Sequence, residues 1–271
     1  MKGKKKKLVK IDFNRPHTTY RLDDGTPVAG VTTALAEKNK KVLPLWGFNQ
    51  GRQPLYKSLS EAAEKNKVDM EKISRKDLAL WAFSVGAERK NATLYGKVDK
   101  AANIGTIAHE MLKARDLGYV IDSSNISPEN YKAAARCVKS HDKWARDLPM
   151  ENIFVEKSLT SKKYRYGGTL DKYCKIGDEP TLIDYKSGKD IYEDYFYQLA
   201  AYAKLLTING YPVKRAICAN FPKAEGDNFK VASVSISYLF RAGFFELFLG
   251  CLKIYYADQK IRNYKKESQE A

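Results

Sequence analysis

Between Gly167 and Tyr202 the chain reads GGTLDKYCKIGDEPTLIDYKSGKDIYEDYFYQLAAY, and few folds accept that order of residue types. Thr181 to Lys186 is rich in β-branched, aliphatic and aromatic residues, with Gly177-Asp178-Glu179-Pro180 before it and Ser187-Gly188 after it. That is a short strand between two turns. Tyr164 to Ile176 reads as its antiparallel partner, and a helix carrying Gln198 and Tyr202 follows. Side chains alternate along a strand with period two, so Asp184 and Lys186 share one face while Ile183 and Tyr185 share the other.

Strand context distinguishes this Asp-x-Lys from others in the chain. Glu88-Arg89-Lys90 and Asp258-Gln259-Lys260 have the same spacing, but in segments that read as helical, where residues two apart do not face each other. An ionised Asp inside a buried strand is costly unless a cation offsets it. Two carboxylates plus a substrate phosphate are a usual way to hold Mg²⁺. The alternative is a surface hairpin whose Asp and Lys are solvated.

Two further residues carry donor chemistry. His109, with Glu110 beside it, lies on an apolar-periodic helix over residues 101–117 and is one of three histidines in the chain. Its structural alternative is a packed or exposed side chain. Glu156 lies in the strand-like run Asn152 to Leu159, where the alternative is an exposed strand carboxylate.

In order, these pieces are Gly105-x-x-x-His109, Glu156, Gly168-x-x-Asp171, Ile183-Asp184-Tyr185-Lys186 and Gln198-x-x-x-Tyr202. The set, over about residues 101–220, resembles the PD-(D/E)XK nuclease superfamily, and within it the RecB-like branch that includes phage-encoded exonucleases. The resemblance implies that Asp171 and Asp184 ligate a catalytic Mg²⁺ or Mn²⁺. His109 would be an extra ligand, and the Ile183 or Tyr185 carbonyl a further one. It implies that Lys186 orients the attacking water and offsets charge on the phosphate, that Glu156 assists at the metal or through water, and that Gln198 and Tyr202 position the lysine or a phosphate. Ordinary helix packing is the alternative for those last two.

Some RecB-like members hold an iron-sulfur cluster. Cys137, Cys174, Cys218 and Cys251 are widely spaced with no Cys-x-x-Cys pair, so no cluster or structural zinc is expected. Scattered cysteines fit reduced, buried thiols in a cytoplasmic protein, or in the host cytoplasm for a phage-encoded one. Neither a signal-peptide pattern nor an apolar run of about eighteen residues is evident, so no membrane partner is expected.

Charge points to a polyanionic partner. The chain has 48 Lys and Arg against 32 Asp and Glu, a formal net charge of +16, and a field of that sign draws in polyphosphate. Lys4 to Lys7 form a basic tail, and Lys162, Lys163, Tyr164 and Arg165 sit at a hairpin tip. Basic groups interleaved with rings suit single-stranded nucleic acid; a solvated tip is the alternative. The expected partner is DNA, single-stranded or with accessible ends, and a recombination or replication protein is a candidate partner left unidentified.

The expected fold is α/β, a mixed central sheet flanked by helices with a restriction-endonuclease-like core over residues 101–271. Residues 1–100 would add a basic tail, a β-hairpin around Asp23-Asp24-Gly25, a helix capped by Thr32 or Thr33, and short helices including Asp77 to Lys90, with Trp46, Phe48, Trp81 and Phe83 as candidate wall residues of a DNA channel. Ser127-Pro128-Glu129 reads as a helix start. Val213 to Phe221 and Phe229 to Ser237 read as strands, and Phe240 to Tyr264 as one closing helix. On the helix bearing Gln198, Asp194 and Tyr202 share its face, and the opposite face, with Leu199, Ala203 and Leu206, is expected to cover the sheet. The function expected from these features is a divalent-metal-dependent deoxyribonuclease acting at DNA ends. A structure-specific or nicking endonuclease and a non-catalytic DNA-binding module are the alternatives.

Overall fold

The computed structural model describes residues 7–13, 18–39, 94–221 and 229–270. Residues 1–38 and 104–271 make one compact unit, and residues 39–103 a second. The expected helix over Asp77 to Lys90, the tail from Lys4 to Lys6, and Trp46, Phe48, Trp81 and Phe83 lie outside the described residues.

The first unit is a mixed α/β structure. Strand β1 (Leu8–Lys10) precedes β2 (Tyr20–Arg21), β3 (Pro27–Gly30) and helix α1 (Val31–Asn39). Helix α2 (Leu94–Leu117) leads to β4 (Val120–Asp122) and α3 (Pro128–Ala145). Then come β5 (Met150–Ser161), β6 (Tyr166–Ile176), β7 (Glu179–Lys186) and α4 (Asp194–Ile208). The described chain closes with β8 (Arg215–Asn220), β9 (Lys230–Ser235), α5 (Ile236–Arg241) and α6 (Phe244–Glu270). β1 and β4 pair in parallel as a small separate sheet. The other seven strands form one sheet in the order β2-β3-β6-β7-β8-β9, with β5 alongside β6.

One strand edge matters most. β5 pairs antiparallel with β6 along its whole length, from Tyr166 to Ile176. The other edge of β6 is shared: β3 takes Tyr166 and Gly167 in parallel, and β7 takes Lys172 to Ile176 antiparallel. Gly168 to Asp171 therefore have no ladder partner on that edge. β7 diverges there and continues beside β8, its parallel neighbour from Thr181 to Lys186.

Two apolar layers enclose the sheet. Leu170, Leu182, Ala216 and Cys218 pack with α4, α6 and α1, whereas Cys174, Ile183, Tyr185, Ile217 and Ala219 pack with α2 and α3. Burial on both faces explains why Leu182-Ile183 in β7 and Ala216 to Ala219 in β8 are unbroken apolar stretches. Leu170, Leu182, Leu199 and Leu205 are each fully buried, and each such side chain contributes about 1.5–3 kcal/mol. The period-two alternation of β7 then puts Asp184 on the α4 side, 2% exposed, so the surface-hairpin alternative does not hold.

Several local expectations are corrected. α1 starts at Val31, straight from β3, so Thr32 and Thr33 lie inside its first turn rather than ahead of it. The strand expected to reach Ser237 ends at Ser235, whose hydroxyl accepts from Tyr238 N at 3.1 Å and starts α5. The single closing helix is two, broken at Ala242-Gly243, where Gly243 has φ of 83°. α4 is buried nearly all round, Tyr202 included, because it lies between the sheet and α6; its Gln198–Tyr202 face also meets the sheet. Ser127, by contrast, caps α3 as read, accepting from Asn130 N at 3.2 Å.

Candidate active site

The open edge of β6 is where the acidic residues meet. Asp171 has no ladder partner across from it; its Oδ2 instead accepts the Tyr185 backbone N–H at 2.7 Å. A side chain thus replaces a strand, and Asp171 is tied to the backbone between Asp184 and Lys186. The two glycines before it let aromatic rings close the gap. A Cβ at Gly167 would lie 2.6 Å from Tyr20 Cβ, and one at Gly168 2.5 Å from Tyr202 Cε1. Tyr20 also bonds Thr169 Oγ1 through its hydroxyl at 3.1 Å.

On the α4 side of β7, Asp184 and Lys186 form a closed polar set with the helix. Lys186 Nζ lies 2.5 Å from Asp184 Oδ2 and donates to Gln198 Oε1 at 3.0 Å. Gln198 Nε2 donates to Asp184 Oδ1 at 3.2 Å and to the Tyr202 hydroxyl at 3.0 Å. Gln198 therefore holds both members of the pair, and the Tyr195 ring lies 5.1 Å from Lys186 Nζ. Asp184 Oδ2 is buried and faces the Lys186 ammonium, which balances its charge.

His109 arrives from the opposite layer on α2, its Nδ1 3.6 Å from Asp171 Oδ1. Glu156 comes from β5 with a φ of 53°, in the left-handed region that a strand residue rarely occupies. It stands across from Asp171 in the β5–β6 register, at the one place between Phe154 and Ser161 where the ladder skips a pair. One donor atom each from His109, Glu156 and Asp171 lie within 4.8 Å of one another. This donor set of two carboxylates and an imidazole fits a hard divalent cation.

The proton equilibria reflect burial first and neighbouring charge second. Burial, reinforced by Asp171, pushes the Glu156 carboxyl up to about 7. Burial also pushes Asp184 up to about 6, against the pull of Lys186. Asp171 goes the other way: burial opposes its ionised form, but His109, Lys186 and the Tyr185 N–H hold it below the usual carboxylate range. Burial disfavours the charged forms of His109 and Lys186, yet the neighbouring carboxylates outweigh it and raise both.

Other sequence-selected residues lie farther off. Lys162, Lys163, Tyr164 and Arg165 form the β5–β6 turn, and even Arg165 is six residues before Asp171, or roughly 20 Å at strand rise. The Tyr164 ring is packed against Phe245 at 5.3 Å. Tyr185 sends its ring away from Asp184, to within 6.1 Å of the His109 ring centroid. The four cysteines are all buried free thiols.

Sequence reasoning did not select the residues behind Tyr185. His141, 2% exposed, has its Nε2 3.2 Å from the Tyr185 hydroxyl and its Nδ1 2.8 Å from Arg115. The same Nδ1 lies 3.3 Å from Asp142 Oδ1, so it stands between a group that only donates and one that only accepts. Burial, with Arg115 nearby, pushes His141 down to about 3 and keeps it neutral. A histidine on the apolar face of α3 was the available signal. Lys172, beside Asp171, is likewise buried and pairs with Asp116 at 2.9 Å.

No protein-family model matches the chain, and no curated protein matches it. Among solved structures, the alkaline exonuclease LHK-Exo from Laribacter hongkongensis is similar over 49% of this chain and 71% of its own, at 9% identity and a TM-score of 0.36. A structure of LHK-Exo in complex with dAMP is similar over 64% of this chain and 92% of its own, at 11% identity and a TM-score of 0.36. With likenesses this slight, the chemistry has to be read from the residues of the site.

Proposed function

We propose that the chain is a divalent-metal-dependent deoxyribonuclease of the PD-(D/E)XK type, RecB-like branch, with end-acting exonuclease as the leading mode. The observation that carries this reading is the convergence of Asp171, Asp184 and Lys186 at the open edge of β6, with His109 and Glu156 beside Asp171. Pure binding needs no buried Asp-Lys pair and no carboxylate in a left-handed strand position. The ordered motifs from Gly105 to Tyr202 support the branch, and the charge of +16 supports a polyphosphate substrate.

In this reading Asp171, Asp184, His109 and Glu156 hold Mg²⁺ or Mn²⁺, with the Tyr185 carbonyl as a further ligand. When bound, such an ion supplies positive charge that polarises a phosphate and lowers the pKa of water. Lys186 stays protonated and faces the reacting phosphate, offsetting the charge that builds on its oxygens. Gln198 fixes Lys186 and Asp184 relative to each other, and Tyr202 fixes Gln198. Tyr185 aims Asp171 through its backbone N–H.

The test is cleavage of linear and covalently closed circular DNA, single-stranded and duplex, in Mg²⁺ and in chelator. The expected result is degradation of linear strands with accessible ends, survival of closed circles, and no cutting in chelator. Rapid cutting of closed circles would replace the end-acting mode with an endonuclease. Binding without any cleavage in Mg²⁺ or Mn²⁺ would overturn the enzyme reading.

A further inference from the structure

Beside the acidic cluster lies a cleft of about 700 Å³, built between the N-terminal strand and α2. β1 is brought there by its parallel pairing with β4 and by Ile11, which is buried against Ile107 and Leu112 of α2. The walls carry Lys7 and Lys10 from the strand segment, Lys113 from α2, the rings of Phe13 and Tyr119, and the carboxylates of Asp12 and Glu110. Lys7 and Lys10 are exposed and enter no ion pair among the described residues. Lys113 reaches Glu110 at 3.2 Å, and Glu110 also accepts from the Tyr119 hydroxyl at 3.1 Å.

The cleft adjoins the cluster. Glu110 in its wall directly follows His109, and Lys113 and Glu110 both act on the charge of Glu156. We infer that this cleft is the seat of a single nucleic-acid strand running to or from the cluster, with phosphates on Lys7, Lys10 and Lys113 and base faces on Phe13 and Tyr119. Cationic amines lining one cleft with two rings are the chemistry of sequence-tolerant single-strand binding. A duplex would keep its base faces stacked and leave the rings without a role. Residues 1–6 continue the charge, with lysines at positions 2, 4, 5 and 6. The inference rests on the nuclease reading for its direction but concerns a different set of residues.

The experiment measures binding of a labelled single-stranded oligodeoxynucleotide of about 16 nucleotides by fluorescence anisotropy, with the full chain in chelator over a range of salt. Lys7→Gln/Lys10→Gln is compared with Lys265→Gln/Lys266→Gln, an equal charge change at the exposed end of α6. The first pair is expected to weaken binding about 5- to 10-fold at moderate salt and to shallow the log–log salt slope by about 1.4, near 0.7 per phosphate contact on a single strand. The second pair is expected to behave as the wild type. Photocrosslinking of an iodouracil-substituted oligonucleotide should recover peptides containing Phe13 or Tyr119. Equal losses in both double variants, no loss in the first, or crosslinks found only elsewhere would overturn the cleft. If the wild type cuts DNA while the first variant binds normally, the cleft alone is lost; if the wild type neither binds nor cuts DNA, the nuclease reading falls with it.

Discussion

An alanine at position 168 would place its Cβ 2.5 Å from Tyr202 Cε1 and 3.1 Å from Val31 Cγ2. Rigid neighbours on both sides leave little room to relax, so Gly168→Ala is expected to cost about 1–3 kcal/mol in urea unfolding. Tyr202→Leu in the same chain should recover part of that loss, which would identify the ring as the cause. Asp184→Asn and Lys186→Ala act on chemistry instead. Each is expected to lower cleavage by at least ~10² while DNA binding persists; full cleavage by either would remove that residue from the site. Proton linkage gives a further expectation, on the metal-free protein. In the fold Glu156 keeps its proton up to about 7, whereas its ordinary value is 4.5. Between those values the folded state binds more protons than the unfolded chain, so stability falls as pH rises through the window and levels off above it. Melting temperatures in chelator should show this decline, and Glu156→Gln should reduce it, leaving the smaller fall that Asp184, raised to about 6, contributes at lower pH. Bound cation reverses the preference by favouring the ionised carboxylate, so Mg²⁺ affinity should rise with pH over the same window.

The site depends on how elements are tied together. Asp116 lies two helical turns beyond His109 on α2, and Lys172 follows Asp171 on β6; their buried contact at 2.9 Å joins the helix of one candidate ligand to the strand of another. Removing one partner leaves an uncompensated buried charge. Lys172→Met alone is therefore expected to destabilise by roughly 3–5 kcal/mol. Asp116→Leu with Lys172→Met should recover most of the stability. If the pair aligns His109 with Asp171, the double variant should still bind Mg²⁺ more weakly by calorimetry, whereas unchanged affinity would leave the pair a role in stability alone. The helix boundary at Gly243 belongs to this scale too. Its φ of 83° suits glycine, and Gly243→Ala should cost about 1–2 kcal/mol without changing cleavage.

For the whole molecule, the net charge of +16 predicts DNA affinity that falls steeply with ionic strength, with a slope counting the phosphates neutralised. Among the described residues no helix is long and apolar enough to cross a membrane. The mixed sheet flanked by helices was readable from the chain because each of its strong signals is local. Turn residues bound β7, alternation puts Asp184 and Lys186 on one face, and Ser127-Pro128 starts α3. Gln198 and Tyr202 were legible as neighbours because residues one turn apart share a helix face. Non-local facts were not legible. No local pattern says that β3 and β7 share one edge of β6, or that the gap between them exposes Asp171 to the Tyr185 N–H. None says that Glu156 takes a left-handed conformation in mid-strand, or that His141 lies behind Tyr185. Periodicity specifies which way a side chain points within its own element, so sequence determined most of the elements and the shared face of Asp184 and Lys186. Which elements meet depends on burying both sheet faces and on pairing buried polar groups across long separations, and only the tertiary structure decided that.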